Sequence, residues 1–266
     1  MTALAFTRTG SGAPLVLLHG IGMSRESWNP VLPALAQHFD VIAVDLPGFG
    51  ESEPLPAGVE PTLAALASSV AELLDTLDVA TPHVAGNSLG GWVALELAHL
   101  RRMGSVTLLS PAGLWSNTTP LYCRISLRAS RWLAVRAGGV INHLVDYRIG
   151  RILVLGQTHA HPARLTAAYA RSAVGAMATS PGFEGALHAT ANRRYRSASI
   201  EAPVTIAFGS HDLLLLPWQS RHLDQLPDGV RVGHLPACGH VPMADHPAAV
   251  VSLITSAALT EPVGVQ

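Results

Sequence analysis

The chain has 266 residues and a formal net charge of −1, and 48% of its residues are hydrophobic. A chain of this length and hydrophobicity can bury a substantial core, which excludes an intrinsically disordered protein. Its two cysteines, Cys123 and Cys238, are too few for a disulfide framework, and the spacing of cysteine and histidine matches no zinc motif. We therefore expect a globular protein from a reducing compartment, with no metal.

The hydrophobic pattern alternates between strand and helix along most of the chain. Short runs of leucine and β-branched residues that end in a polar turn are typical of parallel strands buried on both faces. Predicted strands cover residues 14–18, 41–44, 83–85, 106–109, 204–208 and 230–235. Predicted helices cover residues 24–37, 63–77, 88–101 and 217–226, with a last one beginning near Asp245. This alternation predicts an α/β fold with a mostly parallel central sheet and helices on both faces.

Residues 114–200 interrupt the alternation, because they have helical spacing and no strong strand signal. We predict a helical insertion at 114–200 between the two parts of one α/β core, 1–113 and 201–266. The insertion is also basic, with eleven arginines and two acidic residues, whereas the rest of the chain has six arginines and sixteen acidic residues. A basic insertion in an acidic core is therefore expected.

The sequence predicts neither a membrane partner nor a nucleic-acid partner. The longest apolar run, Ala248–Leu259, is interrupted by hydroxyl residues and is shorter than the roughly 20 residues that span a bilayer. The amino terminus lacks a basic region followed by an apolar segment, so it does not resemble a secretory signal. With neither a spanning segment nor a signal, we expect a cytoplasmic protein. Because the whole chain is not basic and has no nucleic-acid-binding motif, we also expect no nucleic-acid partner.

The most specific local motif is the G-x-S-x-G pentapeptide Gly86–Gly90, which lies between a predicted strand and a predicted apolar helix. In this context it is typical of a nucleophile elbow. A tight turn leaves no room for side chains two positions before and after the nucleophile, so Gly86 and Gly90 fit the requirement. The motif alone is common, and a glycine-rich turn at the start of a helix is the alternative. The elbow interpretation makes Ser88 the candidate nucleophile.

A serine hydroxyl needs a base to take its proton, and that base needs a carboxylate to orient it. Asp212 and His240 are the candidates, because each follows the carboxyl end of a predicted strand, where sites in open α/β sheets collect. Other nearby groups, such as His211 and Asp245, are better explained by packing, surface or helix-cap roles.

The tetrahedral intermediate of acyl transfer needs hydrogen-bond donors for its oxyanion. We predict that the backbone amides of Leu89 and Ile21 supply them, the first directly after the nucleophile and the second from the loop after strand 14–18. His19, in the same loop, is interpreted as a structural residue that braces it.

With these motifs the chain resembles the α/β-hydrolase superfamily, in the form of a serine hydrolase with a helical cap. The runs that carry the resemblance are LLHGIGMSRESW (17–28), DLPGFGES (45–52), GNSLGG (86–91), FGSHDLLLLP (208–217) and CGHVPMADHP (238–247). The order Ser, Asp, His is that of the family. The resemblance implies that 114–200 is a cap over the nucleophile and that Asp45 belongs to a scaffold turn. Related dehalogenases and epoxide hydrolases have an aspartate nucleophile at the elbow, where this chain has Ser88.

Half of the chain's fourteen aromatic residues lie in the implied cap, so a small to medium acyl substrate, either aromatic or anionic, is expected. The alternative is that these aromatics pack the cap onto the core. Arg193 and Arg194, where the cap returns to the sheet, are the candidates for binding a substrate carboxylate. The candidate substrate contacts are Gly22, Asn87, Trp115, Arg193, Arg194 and Val241.

Several activities remain open. The elbow is similar to that of meta-cleavage carbon–carbon hydrolases, but the oxyanion loop lacks their longer glycine stretch and Val241 stands where they usually have tryptophan. We therefore expect carboxylic-ester hydrolysis first and carbon–carbon hydrolysis second. Carrier-thioester hydrolysis, with the arginines docking an acidic carrier protein, and a ligand-binding, lyase or cyclase role are further alternatives. None of the expected steps needs a cofactor, and a monomer and a homodimer are equally compatible with the sequence.

Overall fold

A single seven-stranded sheet forms the centre of the computed structural model, which describes residues 2–196 and 200–259. Its strands are β1 (Phe6–Gly10), β2 (Ala13–Leu18), β3 (Phe39–Val44), β4 (His83–Asn87), β5 (Ser105–Leu109), β6 (Val204–Gly209) and β7 (Arg231–Leu235). The strand order is β1-β3-β2-β4-β5-β6-β7, and only β1 is antiparallel to its neighbour. The predicted fold class, α/β with a mostly parallel sheet, is confirmed.

Helices cover both faces of this sheet and continue between β5 and β6. They are α1 (Leu32–Leu35), α2 (Leu63–Thr76), α3 (Leu89–Leu100), α4 (Leu121–Leu144), α5 (Arg148–Leu155), α6 (Ala167–Thr179), α7 (Phe183–Ala191), α8 (Pro217–Ser220), α9 (Pro242–Asp245) and α10 (Pro247–Ala258). Within the described part of the chain, no helix is long and apolar enough to cross a membrane.

The two faces of the sheet have separate hydrophobic cores, as the alternation of side chains along a strand requires. On β2, Val16 and Leu18 pack with residues of α2 and α3, whereas Leu15 and Leu17 pack with residues of α1 and α10. All four side chains are buried. The strand is therefore apolar on both faces, which is the pattern that made it recognisable in the sequence.

Two predicted helices are shorter in the structure. The segment predicted as helix 24–37 forms a 3₁₀ turn at Arg25–Trp28 and then the short α1, and Pro30 and Pro33 explain the break because proline has no amide hydrogen to donate. The segment 217–226 forms the short α8 and a 3₁₀ turn at Leu223–Gln225. The antiparallel β1, which the sequence pattern did not predict, adds an edge strand.

Helices α4 to α7 form the insertion between β5 and β6, and they have a small apolar core of their own that includes Ala134, Val145, Leu155 and Val174. The insertion contacts the core where the Gly182 amide donates to the carbonyl oxygen of Gly48 at 2.8 Å. The division of the chain at residues 114 and 200 stays a prediction.

Candidate active site

Ser88 occupies a sharp turn between the end of β4 and the start of α3. Its backbone has φ 54° and ψ −115°, a left-handed conformation that is unusual for a residue with a side chain. A Cβ atom on Gly86 would lie 2.2 Å from the carbonyl oxygen of Gly90, and one on Gly90 would lie 2.3 Å from that of Leu18. The turn thus requires glycine at both positions, and it brings Ser88 to the carboxyl edge of the sheet.

Asp212 and His240 lie together at the same edge, just after β6 and β7 respectively. The Nδ1 atom of His240 is 2.8 Å from Oδ2 of Asp212, and both side chains are buried. The other carboxylate oxygen accepts hydrogen bonds from the amides of Leu214 (3.0 Å) and Leu215 (2.8 Å).

Burial by itself raises the pKa of Asp212. The neighbouring His240 ring and the two amides lower that pKa by a larger amount, so it lies below its ordinary value. The carboxylate is therefore ionised near neutral pH. An ionised acceptor at Nδ1 keeps the proton on that nitrogen and leaves Nε2 of His240 free to act as a base.

The loop that carries His240 is attached to the elbow through Asn87. The Asn87 side-chain amide donates to the carbonyl oxygens of His240 (2.9 Å) and Leu109 (3.0 Å). Nε2 of His240 is buried and has no hydrogen-bond partner among the described residues, so the bond to Ser88 that proton transfer needs is not formed in this structure. Such bonds are often long in unliganded enzymes and shorten when substrate binds.

The loop after β2 lies directly on the elbow. A Cβ atom on Gly20 would lie 3.3 Å from both the Ser88 Cβ and the Asn87 side-chain oxygen. His19 braces this loop, because its Nδ1 is 2.8 Å from the Gly20 carbonyl oxygen and its Nε2 accepts a hydrogen bond from the Leu46 amide at 3.0 Å. Burial lowers the pKa of His19, so the ring stays neutral and suits a structural role.

The two predicted oxyanion donors lie in the two segments that meet here, Leu89 after the turn at Ser88 and Ile21 in the loop after β2. Leu89 is the first residue of α3, so its amide has no partner within the helix. Ile21 follows Gly20 in the loop and is partly buried against the core. Their role as a pair of donors stays a prediction.

Comparison with known proteins identifies the family. The model of the alpha/beta hydrolase family matches residues 15–253, nearly the whole described chain. The chain belongs to this family. The chain is also similar to the epoxide hydrolase EphH of Mycobacterium tuberculosis, with 30% identity over 204 residues that cover 73% of this chain and 93% of that protein.

Two further similarities differ in extent. The crystal structure of the enol-lactonase from Burkholderia xenovorans LB400 has a TM-score of 0.75 and 26% identity, and it covers 98% of this chain and 97% of that one. The acetyltransferase component of the acetoin cleaving system of Pseudomonas putida is 47% identical over 106 residues. That match covers 39% of this chain but only 28% of the acetyltransferase component.

Helix α6 of this alpha/beta hydrolase lies against the loop after β2. Gly22 has φ 68°, and a Cβ atom there would lie 2.5 Å from the sulfur of Met177 on α6. Arg131 on α4 holds this part of the insertion, because it donates to the Met177 carbonyl oxygen at 2.8 Å and its guanidinium lies 5.0 Å from the centre of the Phe183 ring. No sequence pattern pointed to Met177, because its contact with Gly22 depends on how α6 packs across the loop.

Helix α4 of the insertion contacts the loop that carries Asp212. The Tyr122 hydroxyl donates to the Leu213 carbonyl oxygen at 3.0 Å, and the Gln157 side chain donates to the same hydroxyl at 2.9 Å. Ser126 in turn donates to Gln157 at 2.6 Å. This chain of hydrogen bonds fixes the first turn of α4 next to the residue that orients the candidate base.

The substrate-contact candidates are placed in different surroundings. Arg193 and Arg194 line a cavity of about 810 Å³ together with Trp92 and Glu96, and its walls do not include Ser88. Arg194 also donates to the Ser116 carbonyl oxygen at 2.6 Å. The two arginines therefore face a cavity other than the surroundings of the candidate nucleophile in this structure.

Trp115 and Val241 are both buried. The Trp115 indole donates to the Arg193 carbonyl oxygen at 2.6 Å and packs edge-on against Trp92, with ring centres 5.5 Å apart. The Val241 amide donates to the Thr158 carbonyl oxygen at 2.9 Å, which joins the loop of the candidate base to the insertion. Substrate contact by either residue stays a prediction.

Some aromatic residues of the insertion make internal contacts. Tyr195 stacks on His99 of α3 with ring centres 5.9 Å apart, and its hydroxyl is 3.0 Å from the His99 Nε2. Tyr169 is within 3.1 Å of Nε2 of the buried His159, and burial lowers the pKa of that histidine to about 4. The Tyr195 contact joins the insertion to the core, as the packing alternative of the sequence analysis expects, whereas the Tyr169 contact lies within the insertion. In the described residues, no group of three or more potential ligands is arranged for a metal ion.

Asp245 ties the insertion to the loop that carries His240. One of its carboxylate oxygens accepts hydrogen bonds from the amides of Gly239 and Ala160, both at 2.8 Å, and the other accepts from the His161 amide at 3.0 Å. The sequence suggested only a surface or helix-cap role for this aspartate. Its three contacts come from segments about 80 residues apart, which a local pattern does not reveal.

We expect Asp245→Ala to lower the free energy of unfolding by about 2–4 kcal/mol, because three amides lose a charged acceptor. Urea denaturation checks this, with Asp228→Ala as the control because Asp228 is exposed in a loop. The kcat on an ester should fall as well, since the loop of the candidate base loosens. Equal stabilities of the two variants would contradict the anchoring role.

Proposed function

We propose that this alpha/beta hydrolase cleaves a carboxylic ester of a small to medium acyl substrate through an acyl-enzyme intermediate on Ser88. The observation that carries the proposal is the buried hydrogen bond of 2.8 Å between the Asp212 carboxylate and Nδ1 of His240, whose loop is hydrogen-bonded to the residue before Ser88. A base held in one tautomer beside a strained serine is the arrangement that nucleophilic acyl transfer requires.

In the first step, His240 Nε2 takes the proton of the Ser88 hydroxyl while Oγ attacks the acyl carbon and a C–O bond forms. The negative charge passes to the carbonyl oxygen, where the amides of Ile21 and Leu89 donate hydrogen bonds to it. When the tetrahedral intermediate collapses, the ester C–O bond breaks and His240 gives its proton to the departing alkoxide. The alcohol leaves, and the acyl group remains on Ser88.

In the second step, a water molecule gives a proton to His240 and attacks the acyl carbon. The collapse of this second intermediate breaks the bond to Ser88, returns the proton to Oγ and releases the carboxylic acid. Asp212 stays ionised throughout and stabilises the charged ring. No step calls for a metal ion or an organic cofactor.

The proposed substrate is a small molecule with an aromatic or anionic acyl group. The enol-lactonase relative supports ester chemistry, because a lactone is an internal ester. Epoxide opening by an elbow carboxylate is less well supported, since Ser88 stands at that position. A cytoplasmic location, and a carrier protein as the bearer of the acyl group, stay predictions.

A substrate panel tests the proposal. We expect short p-nitrophenyl esters and lactones to be hydrolysed with a kcat/KM at least a hundredfold above that for a vinylogous diketo acid or an epoxide. Rapid mixing should show a burst of one p-nitrophenol per protein if hydrolysis of the acyl-enzyme is the slower step. Free and carrier-linked thioesters measure the carrier alternative in the same assay.

A preference for the diketo acid would replace ester hydrolysis by carbon–carbon hydrolysis. Stoichiometric binding of a panel member without turnover would instead favour a ligand-binding role.

A further inference from the structure

The exposed apolar side chains of the described residues are concentrated on two helices of the insertion. Nineteen large hydrophobic side chains are exposed in the described chain, and twelve of them lie between residues 121 and 153. They are Leu121, Tyr122, Ile125, Trp132, Leu133, Val135, Val140, Leu144, Tyr147, Ile149, Ile152 and Leu153. We call this set the α4–α5 face. Such a concentration of exposed apolar side chains on consecutive helices is typical of an interaction surface.

Both helices pack against the protein on one side and expose apolar side chains on the other. On α4, Cys123 and Leu127 are buried against the protein, whereas Ile125 and Trp132 point outward, with Trp132 61% exposed. On α5, the outward residues include Leu153, which is 76% exposed. The exposed side chains therefore form the outer face of two helices whose inner faces already pack against the protein.

The same stretch is strongly basic. Residues 121–153 contain six arginines and one acidic residue, and three of the arginines, Arg128, Arg136 and Arg148, are exposed. Arg128 forms an ion pair with Glu184 at 3.4 Å. The single acidic residue of the stretch, Asp146, forms an ion pair with Arg171, which lies outside it. Among the described residues, no carboxylate forms an ion pair with the exposed Arg136. The face thus combines uncovered apolar area with uncompensated positive charge.

We propose that the α4–α5 face binds the surface of a bilayer that contains anionic phospholipids. An amphipathic helix with arginines and a tryptophan beside its apolar side chains can insert the apolar side into the interface while the guanidinium groups meet the phosphates. A second copy of this chain is a poorer partner, because a symmetric contact would bring the exposed Arg136 and Arg148 of one copy close to those of the other.

The position of the face relates it to the candidate site. It begins at Tyr122, whose hydroxyl bonds to the loop of Asp212, so the bound bilayer would lie beside that loop. The inference goes beyond the proposed ester hydrolysis, and it differs from the sequence-based expectation of no membrane partner. That expectation considered spanning segments, whereas the apolar exposure becomes visible only when the buried side of each helix is known.

Vesicle flotation tests the proposal with the full chain. We expect binding to vesicles of phosphatidylcholine with 30% phosphatidylglycerol, and at least tenfold weaker binding to pure phosphatidylcholine, because the arginines need anionic lipid. The triple variant Trp132→Ser, Ile149→Ser, Leu153→Ser should lose at least tenfold in binding to the anionic vesicles. The variant Arg136→Glu, Arg148→Glu should lose a similar factor.

The matched control is the triple variant Val59→Ser, Leu100→Ser, Val232→Ser, which removes three exposed apolar side chains elsewhere. It should bind as the wild type does, and all variants should keep the wild-type turnover of a soluble ester, which shows that they fold. Absence of wild-type binding to anionic vesicles, or an equal loss in the control, would overturn the proposal. A wild-type dimer that the face variant makes monomeric, without vesicle binding, would assign the face to self-association instead.

Discussion

Replacing Ser88 by alanine is expected to lower kcat on a p-nitrophenyl ester by at least 10⁴-fold, because no acyl-enzyme can form and only binding and oxyanion stabilisation remain. The substitution keeps the Cβ atom and therefore the strained backbone at φ 54°. The hydroxyl makes no hydrogen bond to His240 in the structure, so the free energy of unfolding should change by less than about 1 kcal/mol. Steady-state kinetics and urea denaturation measure the two effects.

The control for this variant is Ser252→Ala, which removes an exposed hydroxyl on α10. It should leave both kcat and stability unchanged. A Ser88→Ala protein that retains more than a tenth of the wild-type kcat would show that another group is the nucleophile. A large loss of stability would show that the serine hydroxyl has a structural role in the elbow.

Replacing Asp212 by asparagine is expected to lower kcat by about 10⁴-fold with little change in KM. The side-chain oxygen of asparagine can still accept from the amides of Leu214 and Leu215, so its amino group would face Nδ1 of His240. That nitrogen must then accept a hydrogen bond, which moves the ring proton to Nε2. A protonated Nε2 cannot take the proton of Ser88.

Asp224→Asn is the matched control, because Asp224 is exposed on the 3₁₀ turn after α8. It should retain the wild-type kcat. A fall of less than tenfold in Asp212→Asn would contradict the orienting role of this carboxylate and would point to a different proton acceptor.

The part of the site that follows strand ends could be predicted from the sequence. Ser88 directly follows β4, Asp212 and His240 come shortly after the ends of β6 and β7, and the carboxyl ends of parallel strands share one edge of the sheet. The spacing of Gly86 and Gly90 also carries its own physical reason, since neither position has room for a Cβ atom. These inferences needed only local patterns and the rule for parallel sheets.

The contacts between the insertion and the core could not be predicted in this way. Whether Tyr122 reaches Leu213, or Met177 reaches Gly22, depends on how α4 and α6 cross the sheet edge, and no periodic signal encodes that. Arg193 was selected by its place in the sequence, but the direction of its side chain is set by the return of the insertion and by Glu60 at 3.5 Å.

The central claim is that Ser88 is the group that becomes acylated. The most direct measurement is peptide mass spectrometry of the protein after reaction with a fluorophosphonate, which transfers a phosphonyl group to an activated serine. We expect one adduct per chain, located on the peptide that contains Ser88, with ester hydrolysis lost in proportion to labelling and no adduct in the Ser88→Ala variant. An adduct on another residue, or full ester hydrolysis by protein labelled at Ser88, would contradict the account.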